Sequence, residues 1–229
     1  AADASVGGKT AVDTPLATNL IGIFNQPEKV YLDIATWKTL PKAQISSGLA
    51  ETIKHACIAD REFFHYISDN MDAILAVDET VCEHIAEMNC KIKCEVVMQD
   101  ERESGMREIL GHTVGRAIET VSGYRLLHGQ ALAIGLMAEV KMAKKLGYCS
   151  DEDVALMQNI LSRAKLPTAI PDYIDRETLV KKLYTDKKAK NGNLRFVFQE
   201  GIGKIKVFDN EQYAQVIPES LAREIIRAM

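Results

Sequence analysis

Gly111-His112-Thr113-Val114-Gly115-Arg116-Ala117-Ile118-Glu119, followed by Leu126-Leu127-His128-Gly129-Gln130-Ala131-Leu132-Ala133-Ile134-Gly135, is the stretch that decides how the chain is read. Five histidines occur in the sequence, and two of them, His112 and His128, open its two apolar helical runs sixteen residues apart. That spacing suits one buried site fed by two adjacent helices. Imidazole nitrogen is a common ligand for zinc-like metals, and two His with one carboxylate leave a coordination position open for water or substrate. A His at a helix start also serves as a cap or a satisfied core residue, and spacing alone does not separate these readings.

An acidic third ligand is therefore wanted. The best candidate lies upstream, in Ser46-Ser47-Gly48-Leu49-Ala50-Glu51-Thr52-Ile53-Lys54-His55, where Glu51 and Lys54 are i,i+3 on one helical face. A carboxylate and an ammonium on an otherwise apolar helix fit a lined site.

Further upstream, Val6-Gly7-Gly8-Lys9-Thr10 pairs two glycines with a lysine and a hydroxyl. It reads either as an anion-binding loop or as a turn, and it lacks the first glycine of a Walker A loop. Asn19 to Phe24 leads through Gln26-Pro27 into Val30-Tyr31-Leu32-Asp33-Ile34, a β-branched and aromatic run that reads as one strand needing partners from elsewhere.

From Pro41 the pattern is helical. Helices are expected over 43–58, 60–67, from an Asp78 N-cap toward Gln99, and over 112–122, 128–146, 151–164, 177–184 and 219–227. In the third of these, Val81, Ile85, Met88, Ile92 and Val96 form the apolar stripe, which puts Lys91 and Lys93 on the solvated face. Leu194 to Phe198 and Lys204 to Phe208 flank Glu200-Gly201-Ile202-Gly203, a hairpin signal.

The 229 residues suffice for a substantial core, and the formal net charge of −4 without a basic block recommends neither nucleic acid nor an anionic membrane as partner. Small molecules fit better. An odd set of five cysteines, Cys57, Cys82, Cys90, Cys94 and Cys149, scattered over helical segments, argues against a disulfide framework and for a reducing cytoplasm. Cys90 and Cys94, i,i+4, read as small buried thiols rather than as metal ligands. No signal peptide and no apolar run long enough to span a membrane is recognisable.

Several stretches together resemble the 3-dehydroquinate synthase family of sugar phosphate cyclases: DASVGGKTAVDTPLATNLIG, GLAETIK, KCEVVMQDERESGMR, GHTVGRAIE, LLHGQALAIG and DKKAKNGNLRFVF, in family order over nearly the whole chain. The resemblance implies a mainly α fold: a multi-helix metal- and substrate-binding domain over 36–229 with a short β-hairpin near its C-terminus. It implies that residues 1–35 are a loop-and-strand leader belonging to an α/β NAD-binding domain that is otherwise absent, and that activity needs this domain.

It further implies that Glu51, His112 and His128 hold a divalent metal, zinc or cobalt, the same three residues that ligand chemistry selects. A sugar-acid phosphate substrate would meet Asp3, Lys9, Asn19, Lys54, Lys93, Arg107 and Lys187. NAD would approach Thr18, Thr36, Thr39 and Ser47, and Glu103, Lys54 and Arg116 would stand at the reacting centre. The implied reaction oxidises a hydroxyl on NAD, eliminates phosphate beside the new ketone, returns the hydride and recloses the ring by an aldol step, in a cytoplasmic homodimer.

Three departures matter. Thr18 stands where the family has a lysine, the segment between Arg107 and Gly111 is two residues short and lacks an asparagine, and Arg116 replaces a second histidine one turn after the metal-binding one. A guanidinium cannot relay protons near neutrality, although it can hold phosphate. Gln130 for glutamate is milder. Other sugar phosphate cyclases, a non-catalytic metal-binding or oligomerisation module, and a metal-dependent alcohol dehydrogenase are the competing readings.

Overall fold

In the computed structural model, residues 3–12, 14, 20–99, 109–184, 194–209 and 212–229 are described. Thr18, Asn19, Glu103, Arg107 and Lys187, all expected near the site, lie outside them. The chain opens with strands β1 (Lys9–Val12) and β2 (Ile21–Phe24), then a 3-10 helix (Ile34–Thr39) and helices α1 (Lys42–Ala59), α2 (Arg61–Asp69), α3 (Met71–Leu75) and α4 (Glu79–Gln99). It continues with α5 (His112–Val121), α6 (His128–Lys145), α7 (Asp151–Arg163), α8 (Arg176–Leu183), β3 (Arg195–Val197), β4 (Ala214–Val216) and α9 (Glu219–Ala228). This is the expected mainly α architecture.

The helix α6 sits at the centre because its sequence is apolar on every side, and such a helix is stable only when buried all round. Its Leu132, Ala133, Leu136, Met137 and Val140 join one core with α1, α2, α4 and α7. Its Ala131, Ile134, Ala138 and Met142 join a second core with α5, α8, α9 and the β3 residues around Phe196. Burying a single Phe or Leu contributes roughly 1.5–3 kcal/mol, so two cores sharing one helix make α6 the element that the others cannot leave.

Helix starts follow their side chains. Asp60 accepts from the Phe63 amide at 2.9 Å at the start of α2, Asp78 accepts from the Val81 amide at 3.0 Å at the start of α4, and Asp175 from the Thr178 amide at 2.7 Å at the start of α8. Ser150 and Asp153 cap α7 reciprocally, the Asp153 amide donating to Ser150 Oγ at 3.1 Å and the Ser150 amide to Asp153 Oδ2 at 2.8 Å.

Four sequence expectations are corrected. The run Val30 to Ile34 is not a strand: Asp33 accepts from the Ala35 amide at 2.9 Å and starts the 3-10 helix at Ile34. The strands lie earlier, β1 pairing antiparallel with β2 from Lys9 opposite Phe24 to Val12 opposite Ile21. The Gly7-Gly8 pair initiates this hairpin, with φ values of 104° and 66° and the Asn25 amide donating to the Gly8 carbonyl at 2.7 Å.

The expected hairpin closes around 200–204, but the ladder of β3 then runs on β4 rather than along the rest of 204–208. The expected partner meets the first arm at the Gln199–Ile205 bridge and through the Lys206 amide on the Phe198 carbonyl at 2.8 Å. The glycine amides of the turn are bonded outside the ladder, Gly203 to the Cys57 carbonyl of α1 at 3.0 Å and Gly201 to the Tyr148 carbonyl between α6 and α7 at 3.2 Å.

Lys91 is solvated as expected, but Lys93 is buried because Asp3 and Gly7 pack over it: Asp3 Oδ2 lies 3.3 Å from its ammonium. Finally, Cys57 and Cys82 are buried, whereas Cys90 is only partly covered and Cys94 is exposed.

Candidate metal centre

Three helix segments bring the donors together: α1 carries Glu51 in its middle, and α5 and α6 carry His112 and His128 as their first residues. Glycines set the helices at this close range. A methyl group on Gly129 would overlap the Ser47 carbonyl of α1, and one on Gly135 would overlap the Gly111 carbonyl at the start of α5. The Gly129 amide also donates to Ser47 Oγ at 3.0 Å, tying the residue after His128 to α1. Only a residue without Cβ permits such backbone approach.

The two imidazoles converge on one oxygen. His112 Nε2 lies 3.2 Å and His128 Nε2 3.0 Å from Glu51 Oε1, with the rings 5.5 Å apart. Their other nitrogens are already engaged: His112 Nδ1 lies 3.2 Å from the Leu110 carbonyl and His128 Nδ1 lies 2.9 Å from Glu119 Oε1. His128, raised by its two carboxylates, donates from both nitrogens until a cation takes the place of a proton. His112, held neutral by burial, has one N–H to give and faces an acceptor on each side. If Nδ1 donates, Nε2 brings a lone pair to a carboxylate, an arrangement that a cation between the three atoms resolves. The outer partners, a carbonyl and a carboxylate, are those that orient metal-ligating histidines.

Charge around the three donors is uneven. Burial opposes ionisation of Glu51, but Lys54, whose ammonium lies 2.6 Å from Oε2, and the two imidazoles hold its carboxyl well below the usual range. Burial lowers His112 to about 4 against the pull of Glu51. His128, bonded to Glu119 and to Glu51, is raised to about 10. The His112 side chain is 9 % exposed and that of His128 48 %, so the group is closed on one side and open to solvent on the other. An open side is what a reactive metal site needs and a structural one lacks.

A second group, Asp3, Glu51 and His55, also offers ligand atoms within 4.8 Å of one another. Lys93 already neutralises Asp3 there, and His55 Nε2 stands 3.8 Å from the Asp3 carboxylate. The histidine pair is the better cation site. His55, fully buried, is bonded through Nδ1 to Asn89 Oδ1 at 2.7 Å, which links α1 to α4.

The remaining expected residues are distributed as follows. Lys54 and Lys93 are buried beside Glu51 and Asp3. Lys9 is exposed at the start of β1. Arg116 is exposed one turn beyond His112, and its charge adds to the forces that keep His112 neutral. Thr36 and Thr39 are exposed on the 3-10 helix, their hydroxyls donating to the Asp33 carbonyl at 2.7 Å and the Thr36 carbonyl at 3.0 Å.

Gln130 accepts from the Leu127 amide at 2.9 Å, an acceptor role that Gln performs as Glu would. Glu119 was not singled out from the sequence, although its place seven residues after His112, on the same face of α5, was the available signal.

A family model described as 3-dehydroquinate synthase C-terminal matches residues 48–189, and one described as 3-dehydroquinate synthase N-terminal matches residues 1–47. The 3-dehydroquinate synthase of Thermodesulfovibrio yellowstonii is 45% identical over 208 residues, covering 90% of this chain and 58% of the relative. That of Aliivibrio fischeri is 41% identical over 227 residues, covering 98% and 61%, and the chloroplastic enzyme of Solanum lycopersicum is 42% identical, covering 96% and 50%. The chain thus spans about three fifths or less of the length of these relatives.

Among solved structures, a 2-deoxy-scyllo-inosose synthase complexed with carbaglucose-6-phosphate, NAD+ and Co2+ shares the fold with a TM-score of 0.89 at 24% identity, covering 99% of this chain and 64% of that one. The 2-epi-5-epi-valiolone synthase of Streptomyces hygroscopicus with NAD+ and Zn2+ bound does so with a TM-score of 0.87 at 18% identity, covering 99% and 62%. With both family models meeting end to end along its sequence and with relatives of that name above 40% identity, the chain belongs to the 3-dehydroquinate synthase family.

Proposed function

We propose that this chain is the metal- and substrate-binding part of a 3-dehydroquinate synthase, a phosphate-eliminating lyase that converts 3-deoxy-D-arabino-heptulosonate 7-phosphate to 3-dehydroquinate in the cytoplasm as a homodimer. The observation that carries the reading is the convergence of His112 Nε2 and His128 Nε2 on Glu51 Oε1, with both Nδ1 atoms held elsewhere. In this reading Glu51, His112 and His128 hold zinc or cobalt, and residues 1–35 lead into the NAD-binding domain.

A bound divalent cation there would supply a Lewis acid for neighbouring substrate hydroxyls and for a transient carbonyl; NAD would supply a reversible hydride acceptor. The protein's own part is to receive and orient an anion. Lys54 and Lys93, buried and hence little screened, give the site positive charge next to Glu51 and Asp3. Arg107, Lys187, Lys9 and Asn19 complete the contacts to the substrate's carboxylate, phosphate and hydroxyls, and Arg116 offers a fixed cation to the phosphate. Glu103 and Lys54 are the groups that handle protons. Thr18, Thr36, Thr39 and Ser47 line the approach of the dinucleotide.

The test is phosphate release from 3-deoxy-D-arabino-heptulosonate 7-phosphate by the chain combined with the amino-terminal domain of the Thermodesulfovibrio relative, in NAD and cobalt. The expected result is phosphate released without net NADH, abolished by Glu51→Ala. Metal uptake without any phosphate release would overturn the catalytic reading and leave a metal-binding module, for which the exposed Arg116 in place of a histidine would be the reason.

A further inference from the structure

The structure assigns Glu139 as a positioning residue for His112, acting from the facing helix through the backbone of Gly111; the assignment rests on the reading of Glu51, His112 and His128 as a metal site. Glu139 is fully buried in α6, inside a run that is otherwise apolar from Ala131 to Val140. A carboxylate there is costly unless its oxygens are bonded. Its Oε2 accepts from the Gly111 amide at 2.6 Å, and Gly111 is the residue immediately before His112.

The surroundings make this contact a determinant of where α5 begins. Gly111 is the N-cap of α5, holds a φ of 79° and has no capping side chain of its own. The carboxylate of Glu139 therefore reaches the positive end of the α5 dipole from α6, where a negative charge is favoured. The next peptide, between Gly111 and His112, is fixed by shape: the Gly111 carbonyl lies against Gly135, one turn before Glu139, so closely that a methyl there would overlap it. A methyl on Gly111 would press on Leu132 and Leu136 in turn.

Gly111 is thus held by its N–H on Glu139 and by its C=O on Gly135. His112 follows directly, and its ring is steadied by the carbonyl of Leu110 on the other side of Gly111, at 3.2 Å. The three residues 110–112 form one unit whose orientation toward Glu51 depends on the α6 clamp. Removing the carboxylate leaves α6 free to stay helical, since Ala is the best helix former, but frees the Gly111 amide to tilt and carries His112 Nε2 off the Glu51 oxygen.

The experiment compares wild type with Glu139→Ala, Glu139→Gln and, as a control for general loosening of the core, Met157→Ala, a fully buried α7 residue. Cobalt is titrated into the ion-free proteins while its visible absorption is followed, and the 15N-labelled imidazoles are observed before cobalt is added. We expect Glu139→Ala to weaken cobalt binding about 10–100-fold, the usual effect of losing an outer partner of a metal ligand, and to alter the absorption bands. Glu139→Gln, which keeps an acceptor for the Gly111 amide, should stay near wild type, as should Met157→Ala.

Cobalt affinity and bands in Glu139→Ala identical to wild type would overturn the assignment, and so would an equal loss in Met157→Ala. Should the wild type take up no cobalt, the metal reading fails separately. The imidazole signals of His112 then decide: displaced in Glu139→Ala but not in Glu139→Gln they uphold the clamp, and unmoved in both they refute it.

Discussion

His128 Nε2 lies 3.0 Å from Glu51 Oε1 across 77 residues of sequence, and its other ring nitrogen lies 2.9 Å from Glu119 Oε1. Glu119 thereby fixes which nitrogen His128 presents and raises its basicity as a ligand. Replacing Glu119 by Gln, which still accepts a hydrogen bond but carries no charge, should weaken cobalt binding about tenfold. The check is calorimetric titration at constant pH with folding verified by circular dichroism; unchanged affinity would make Glu119 a bystander.

The close approach of helices predicts opposite outcomes for one and the same substitution. Gly135→Ala puts a methyl into the Gly111 carbonyl, so overpacking should cost about 1–3 kcal/mol in urea unfolding and loosen the metal site with it. Gly48→Ala, in the middle of α1 with open space around the new methyl, should instead stabilise by about 0.5–1 kcal/mol through helix propensity. A destabilised Gly48→Ala would show that α1 depends on that glycine for some other reason.

Asp153 predicts an acid-sensitive joint between α7 and the 201–203 turn. Burial opposes its ionisation, but the amide and hydroxyl of Ser150 and the amide of Ile202, at 3.2 Å from Oδ1, hold its carboxyl below the ordinary value. A carboxylate with a lowered folded-state pKa contributes stability that is fully present above its unfolded pKa of about 3.9 and lost as pH falls through the lowered value. Asp153→Ala should therefore cost about 1–3 kcal/mol at pH 7, with the gap to wild type closing as pH falls below the unfolded value of about 3.9. Urea midpoints on both sides of that value measure it, and a pH-independent gap would rule the linkage out.

The β1–β2 hairpin presents Val12, Ile21, Ile23 and Phe24 to solvent, each more than half exposed. An exposed apolar strand pair with open edges is a template for association. Light scattering of the chain should show concentration-dependent self-association that Ile23→Lys reduces; equal scattering by both proteins would point to another surface.

Most helices were legible, because Asp78 marks the start of α4 by capping chemistry and α6 announces itself as a long apolar run, whereas the five-residue α3 is too short to show a period and was not expected. The converging donors Glu51, His112 and His128 were legible because the two histidines open apolar helical runs and Glu51 shares a helical face with Lys54. What stayed hidden is what tertiary contacts decide. Lys93 lies off the apolar stripe of α4, and Asp3 and Gly7, which pack over it, give no local sign of doing so. Val30 to Ile34 has strand composition, yet residues 30–33 join no sheet and Asp33 caps the 3-10 helix that begins at Ile34. The ladder of β3 runs on the more distant β4, while the nearer arm meets the first only at the Gln199–Ile205 bridge, where the glycine amides of the turn are bonded to Cys57 and Tyr148. Glu119 and Glu139 look like ordinary helical acids until the facing helix is in place.

The most direct measurement is metal content and cobalt affinity of the purified chain beside Glu51→Ala, His112→Ala and His128→Ala, each verified as folded. We expect one equivalent of divalent metal in the wild type and a loss of at least a hundredfold in affinity for each variant, as befits three ligands on one ion. Equal metal content in all four proteins, or none in any, would contradict the account at its centre.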